Sequence, residues 1–213
     1  MRQLSFIWDM DGTLVDSYPA IVPSVIEACA EFGLHFEPDY IYRHIIRSSV
    51  GAFLEGLALE DVTPLKARFN TLNDSNIDRI LAMPYARETL SALVRAGHRN
   101  FVYTHRGASC EAILRQTGLL PCFTEIVTAL DGFPRKPAPD AIRYLMRKYA
   151  LDADSCYYVG DRSIDIEAAD NAGIGSILLL APDSPTPVSG QETYVVADLG
   201  KIPALFASET KRK

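Results

Sequence analysis

The sequence predicts an α/β chain: a doubly wound parallel sheet with a small α-helical domain inserted near its start. Two observations carry this. From about residue 80 onward, short near-continuous apolar runs alternate with segments of helical period. Runs that are apolar on both faces suit parallel strands covered on both sides. Between residues 16 and 79 the alternation stops, and helical pattern stands alone.

The elements follow in order. Residues 4–8 are an apolar run ending at Asp9, with the length and the aromatic and β-branched content of a buried strand. The inserted region has candidate helices at 21–32, 40–46, 52–59 and 65–72 and no convincing strand. Alternation then resumes: helix 87–96, strand 101–103, helix 108–117, strand 126–127, helix 139–149, strand 157–159, helix 163–172, strand 177–180. Gly97, Gly118 and Gly173 stand just past helix ends, and Pro139 stands at a helix start, the expected punctuation. Residues 182–190 are rich in Pro and Ser and read as a loop. A short strand at 194–196 and a terminal helix near 199–206 complete the chain. The expected division is a core of residues 1–15 and 80–213, and a helical insertion of residues 16–79.

Composition narrows the function classes. The 213 residues are enough for a substantial core. With 27 acidic residues against 21 basic ones, the formal net charge is −6. That gives no electrostatic ground for nucleic acid or an anionic membrane as partner. The basic cluster Lys211-Arg212-Lys213 reads as a solvated tail. Cys29, Cys110, Cys122 and Cys156 include no C-x-x-C pair and no zinc-type Cys/His spacing. They read as reduced thiols in a reducing compartment. There is no signal-peptide pattern and no apolar run of membrane-span length, so the expectation is a soluble, cytoplasmic protein.

The strongest chemical signal is Asp9-Met10-Asp11-Gly12-Thr13-Leu14, directly after the first strand. Residues i and i+2 of an extended segment point to one side. Asp9 and Asp11 should thus face one site at the strand's carboxyl end, where open α/β sheets bind ligands. Two carboxylates at about 4 Å and an effective dielectric of ~20 repel by roughly 4 kcal/mol. A divalent cation or a shared proton would offset this. Taken alone, the segment also fits a strand end followed by an Asp-Gly turn.

The second signal, Val159-Gly160-Asp161-Arg162-Ser163-Ile164-Asp165, also closes a strand and opens a helix. Asp161 sits at the strand end, and Asp165 in the first helical turn, where the dipole favours an acid. Beside Asp9 and Asp11 these acids make a site for a hard cation with oxygen ligands, and magnesium fits best. Thr104 ends another strand, and His105-Arg106-Gly107 open the next helix. Thr104 and the amides after it suit a phosphate at a helix N-terminus. Lys136 lies in Arg135-Lys136-Pro137-Ala138-Pro139, where it can neutralise a phosphate and an acid cluster, although a lone lysine is usually solvated.

In this order the four elements resemble the haloacid dehalogenase superfamily of hydrolases. That family's pattern is D-x-D-G-T, a Thr or Ser ending a strand, a Lys, then G-D-x-x-x-D. The resemblance spans nearly the whole chain. The insertion point and Pro137 look like the phosphoglycolate phosphatase and β-phosphoglucomutase branch.

The resemblance implies a Rossmann-like core with a helical cap, and a magnesium-dependent phosphatase hydrolysing a small-molecule phosphomonoester. It implies that Asp9 becomes phosphorylated and that Asp11 is general acid, then base. Thr104, Lys136 and His105 would bind the phosphoryl group. Asp9, the backbone carbonyl of Asp11 and Asp161 would hold Mg2+, with Asp165 supporting the metal or pairing with Lys136. Asp11 favours phosphate esters, since the superfamily's dehalogenases and phosphonatases lack a carboxylate there. Arg47, in the cap segment 42–49, and Arg106 are the candidate specificity residues. His105 and Arg106 depart from the usual family pattern after the hydroxyl residue.

The alternative within the family is a phosphomutase acting on a sugar phosphate. Receiver-like phosphoacceptor domains place similar residues at sheet ends but are shorter and lack the helical insertion. A non-catalytic binding protein on this scaffold would be expected to have lost motif positions, and none is degraded here. The expected partner is a small-molecule phosphate ester, with no nucleic acid and no membrane, and the expected state is a monomer or weak homodimer.

Overall fold

The computed structural model describes residues 2–182 and 184–207, so the basic cluster at 211–213 lies outside the described residues. The chain divides into two compact units, Met1–Val15 with Ala82–Lys213, and Asp16–Leu81.

The strands in chain order are β1 (Ser5–Trp8), β2 (Val15–Asp16), β3 (Leu81–Ala82), β4 (Arg99–Tyr103), β5 (Glu125–Val127), β6 (Cys156–Gly160), β7 (Gly175–Leu179) and β8 (Tyr194–Val196). Six of them form one sheet in the order β5-β4-β1-β6-β7-β8, and every pairing in it is parallel. β1 lies inside this sheet, and Phe6, Ile7 and Trp8 are fully buried. That is why the first run is apolar without alternation.

Helices α1 (Tyr18–Glu31), α2 (Pro38–Arg47), α3 (Val50–Glu55) and α4 (Thr63–Ser75) belong to the second unit. Their apolar stripes share a core that includes Val25, Ala28, Ile41, Leu54 and Leu65. Helices α5 (Ala86–Arg95), α6 (Cys110–Gln116), α7 (Asp140–Tyr149), α8 (Ser163–Ala172) and α9 (Ile202–Phe206) belong to the sheet unit. In α7, Ala141, Ile142 and Leu145 recur at helical spacing and pack on Phe101, Tyr103 and Val127 of the sheet.

Three local features differ from the expected pattern. β2 and β3 pair as a two-stranded ribbon where the chain leaves and re-enters the sheet unit. Strands of two residues are too short for period reasoning. The return crossing lies at Leu81/Ala82, inside that ribbon, rather than at 79/80. α3 stops at Glu55, short of the expected residue 59, with the Gly56 N–H making the last i→i−4 bond, to the Ala52 carbonyl at 3.0 Å.

Register positions the site. Trp8 is level with Val102 of β4 and with Val159 of β6. The carboxyl ends of β1, β4 and β6 therefore lie side by side. The chain winds from β1 to β4 and β5, then returns to β6 on the other side of β1. Such a reversal of winding opens a crevice at the strand carboxyl ends.

No helix among the described residues is long and apolar enough to cross a membrane, and the four cysteines are free thiols.

Candidate active site

Asp9 follows β1 and is buried. Its backbone N–H donates to the Val159 carbonyl at 2.8 Å, which ties it to β6. The chain then turns tightly: the N–H groups of Thr13, Leu14 and Val15 converge on the Met10 carbonyl at 3.3, 2.9 and 3.0 Å. Gly12 has φ 81° within this turn, a conformation open to glycine at little cost. Thr13 is buried, and its hydroxyl donates to Asp161 Oδ1 at 3.2 Å. Thr13 thus ties the turn after β1 to Asp161.

Lys136 is the hub. Its buried Nζ donates to Asp9 Oδ1 at 2.7 Å, Asp165 Oδ1 at 2.7 Å and the Tyr158 hydroxyl at 3.0 Å. An ammonium has three N–H donors, and these partners take all three. The Tyr158 hydroxyl in turn donates to the Tyr103 carbonyl at 2.7 Å. Burial opposes the lysine charge, but Asp165 and Asp9 outweigh it and raise the Lys136 pKa. Burial holds the Tyr158 hydroxyl protonated, well above its ordinary range. Burial also pushes the Asp9 carboxyl up, against the pull of Lys136.

Asp9 Oδ2 is the exception in this network. It is buried without a hydrogen-bond partner, and Arg162 Nη2 stands 3.8 Å away. An unpaired buried acceptor costs roughly 1–3 kcal/mol, more when charged, so its retention calls for a ligand.

Asp165 is committed to the protein, since Oδ1 accepts from Lys136 and Oδ2 from the Arg162 backbone N–H at 3.1 Å. Glycine at 160 is required by this contact: a Cβ there would lie 2.4 Å from Asp165 Cβ, Cγ and Oδ2. Asp161 is buried, and the Thr186 hydroxyl donates to its backbone carbonyl at 2.9 Å.

Carboxylate oxygens of Asp9, Asp161 and Asp165 all lie within 4.8 Å of one another. This is a hard-oxygen donor set of the kind that suits a magnesium-class cation. With Asp165 engaged by Lys136 and Arg162, Asp9 Oδ2 and the Asp161 carboxylate fit such an ion best.

Thr104 is buried at the end of β4, and its hydroxyl accepts the Arg106 N–H at 3.1 Å. The His105 ring supports the lysine loop: its Nε2 accepts the Lys136 backbone N–H at 2.8 Å, which requires a neutral ring protonated on Nδ1 and leaves that N–H and the backbone amide as its donors. Burial first, then the positive charges of Lys136, Arg135 and Arg162, push its pKa down to about 2. Arg106 was expected to read the substrate. Its guanidinium lies instead on Asp11, with Nε 3.0 and 3.1 Å from the two carboxylate oxygens and Nη2 2.7 Å from Oδ1. A carboxylate matches the Arg fork as well as a substrate anion would. Arg47 is exposed at the last turn of α2, in the inserted unit.

The neutral His105 gives a stability prediction. Its folded pKa is depressed, so below about pH 6.5 only the unfolded state gains this proton, and stability falls as pH falls. Between about pH 7.5 and about pH 5.5 this amounts to about 1.4 kcal/mol. His105→Gln, whose side-chain carbonyl can accept the same N–H, should show a correspondingly smaller acid-side loss in urea titrations. An unchanged pH slope would mean that His105 charges in the folded protein.

Sequence reasoning missed Tyr158 and Thr186. A tyrosine inside a strand buried on both faces signals a hydroxyl in need of a partner. Nothing in the Pro- and Ser-rich loop distinguishes Thr186.

A sequence model described as haloacid dehalogenase-like hydrolase matches residues 6–179. The chain belongs to the haloacid dehalogenase-like hydrolases. Several curated proteins that it resembles bear the name phosphoglycolate phosphatase. A curated relative named phosphoglycolate phosphatase, from Vibrio vulnificus, is 28% identical over 206 residues, covering 90% of each chain. A crystal structure of a predicted phosphoglycolate phosphatase from Haemophilus somnus superposes with a TM-score of 0.85 at 22% identity, covering 96% of this chain and 98% of that one, a likeness of fold. A hydrolase from Streptococcus pneumoniae is 30% identical with a TM-score of 0.60, covering 83% of this chain and 92% of that one. This haloacid dehalogenase-like hydrolase is thus an enzyme with the Rossmann-like core of its family.

Proposed function

We propose that this hydrolase is a magnesium-dependent phosphatase that hydrolyses a small-molecule phosphomonoester through a phosphoaspartate on Asp9. The observation that carries the reading is Asp9 itself. Lys136 pins Oδ1 at 2.7 Å, while Oδ2 is buried without a hydrogen bond beside the acid cluster. The names borne by its relatives support phosphate-ester chemistry with water as acceptor.

In the first half-reaction an Asp9 oxygen attacks phosphorus, the ester P–O bond breaks, and Asp11 gives a proton to the departing alkoxide. In the second, water attacks the phosphoaspartate, Asp11 takes a water proton, and Asp9 and inorganic phosphate are released. Thr104, at the end of the neighbouring strand, would help hold the phosphoryl group. Lys136 keeps Asp9 oriented, because its donors are spent on the acids around it. Asp9, the Asp11 backbone carbonyl and Asp161 would hold magnesium. When bound, the ion would neutralise charge on the carboxylates and the phosphate. Positioning and charge neutralisation supply most of the catalysis in phosphoryl transfer.

Turnover of a phosphomonoester should stop in a chelator and return with magnesium. Calcium should inhibit, because its larger and looser coordination shell disturbs in-line geometry. Full turnover in chelator would overturn the metal assignment.

A further inference from the structure

The guanidinium of Arg106 is buried, with a side-chain exposure of 4%, and the Asp11 carboxylate it holds is 22% exposed. The arginine therefore stands behind the acid, and the acid faces outward. Three of its contacts are to Asp11: Nε reaches both oxygens at 3.0 and 3.1 Å, and Nη2 reaches Oδ1 at 2.7 Å. Contact with both oxygens fixes the rotation of the carboxylate as well as its position, which a point charge would not do.

Arg106 is itself braced from three directions. Its N–H donates to the Thr104 hydroxyl at 3.1 Å, its carbonyl accepts the Ala129 N–H at 3.0 Å, and Nη1 lies 3.3 Å from Ser109 Oγ. These partners come from the end of β4, the turn after β5 and the residue before α6. The first two contacts fix the backbone that carries the side chain, and the third holds the guanidinium itself.

We infer that Arg106 is a positioning residue for the leaving-group chemistry. It orients the Asp11 carboxylate toward the bridging ester oxygen. The inference rests on the proposed reading of Asp11 as the acid that protonates the departing alkoxide. In that step the ester P–O bond breaks, the Asp9–P bond forms, and the Asp11 proton passes to the leaving oxygen. A leaving group that is a stable anion needs little of that proton, whereas an alkoxide needs it fully. Loss of Arg106 should therefore harm substrates in proportion to how poor their leaving group is.

The test compares kcat/KM for p-nitrophenyl phosphate and a simple alkyl phosphate at saturating magnesium. This parameter covers the steps through phosphoenzyme formation and excludes its hydrolysis. Asp11→Asn should lose about 10²–10⁴-fold on the alkyl ester and far less on the nitrophenyl ester. Arg106→Gln should lose about 10–100-fold on the alkyl ester, with a loss at least about tenfold smaller on the nitrophenyl ester. Arg106→Lys, which keeps the charge without the fork, should fall between wild type and Arg106→Gln with the same selectivity. The double variant Arg106→Gln/Asp11→Asn should be no worse on the alkyl ester than Asp11→Asn alone, as for residues acting as one unit.

Equal losses on both esters in folded Arg106 variants, or additive losses in the double variant, would overturn the inference and leave Arg106 as structural. Folding is checked by thermal melting followed through Trp8, the single tryptophan. If Asp11→Asn shows no leaving-group selectivity, the acid–base reading of Asp11 falls and takes the inference with it. If Asp11→Asn is selective and Arg106→Gln is not, only the inference falls.

Discussion

Asp9→Asn is expected to lower turnover by roughly 10⁴–10⁶-fold while leaving the fold as stable as before or more so. The two halves of this expectation have one cause. The Asp9 carboxylate is buried, one oxygen has no hydrogen bond, and Asp165 lies close by. Burial raises its pKa above the ordinary range despite Lys136. An acid whose folded pKa is raised destabilises the fold at pH values above that pKa, and the penalty is relieved as pH falls. The amide removes the penalty together with the nucleophile. Groups held at some cost to stability are common at active sites. The checks are steady-state turnover with magnesium and thermal melting in chelator. Near-normal turnover would overturn the covalent mechanism. A marked fall in melting temperature would mean that the ionised Asp9–Lys136 pair stabilises the fold on balance.

Lys136→Met should cost about 3–5 kcal/mol of stability, because it leaves a buried charge cluster without its counter-ion. Against a typical total of roughly 5–15 kcal/mol this is large. Three partners lose a donor at once: Asp9, Asp165 and the Tyr158 hydroxyl. Turnover should fall with stability, because Lys136 is the hydrogen-bond donor that holds Asp9 Oδ1 among the described residues. Adding Asp165→Asn to Lys136→Met removes one of the stranded charges and should recover part of the lost stability. Urea titrations of the two variants in chelator decide this. A cost below about 1 kcal/mol, the range of exposed pairs, would show that water reaches the cluster and screens it.

Much of the sheet was legible in the residues alone. β1, β6 and β7 are central strands buried on both faces, so their apolar runs are continuous and hard to mistake for anything but buried structure. The glycines after α5 and α8 and the proline before α7 marked helix limits through local backbone chemistry. The two-residue strands β2 and β3 left no such trace, because pairing, and not composition, makes them strands.

By itself the sequence determined that Asp9 and Asp161 would stand at neighbouring strand ends, though not that Asp165 would join their carboxylates while the Asp11 carboxylate lies on Arg106. Asp9 and Asp161 each end an apolar run, and parallel strands in register bring such ends together. It also contained every atom of the Lys136 network, without saying how they pair. What each polar side chain does there was decided by tertiary structure. Asp11 and Arg106 are 95 positions apart, and Lys136 and Asp9 are 127 apart. No periodicity or motif spacing reaches that far. His105 became an acceptor for the lysine loop because the fold buries it among positive charges. Arg106 turned to Asp11 because the end of β4 lies beside β1, so the closest anion for its fork is a carboxylate of the protein itself.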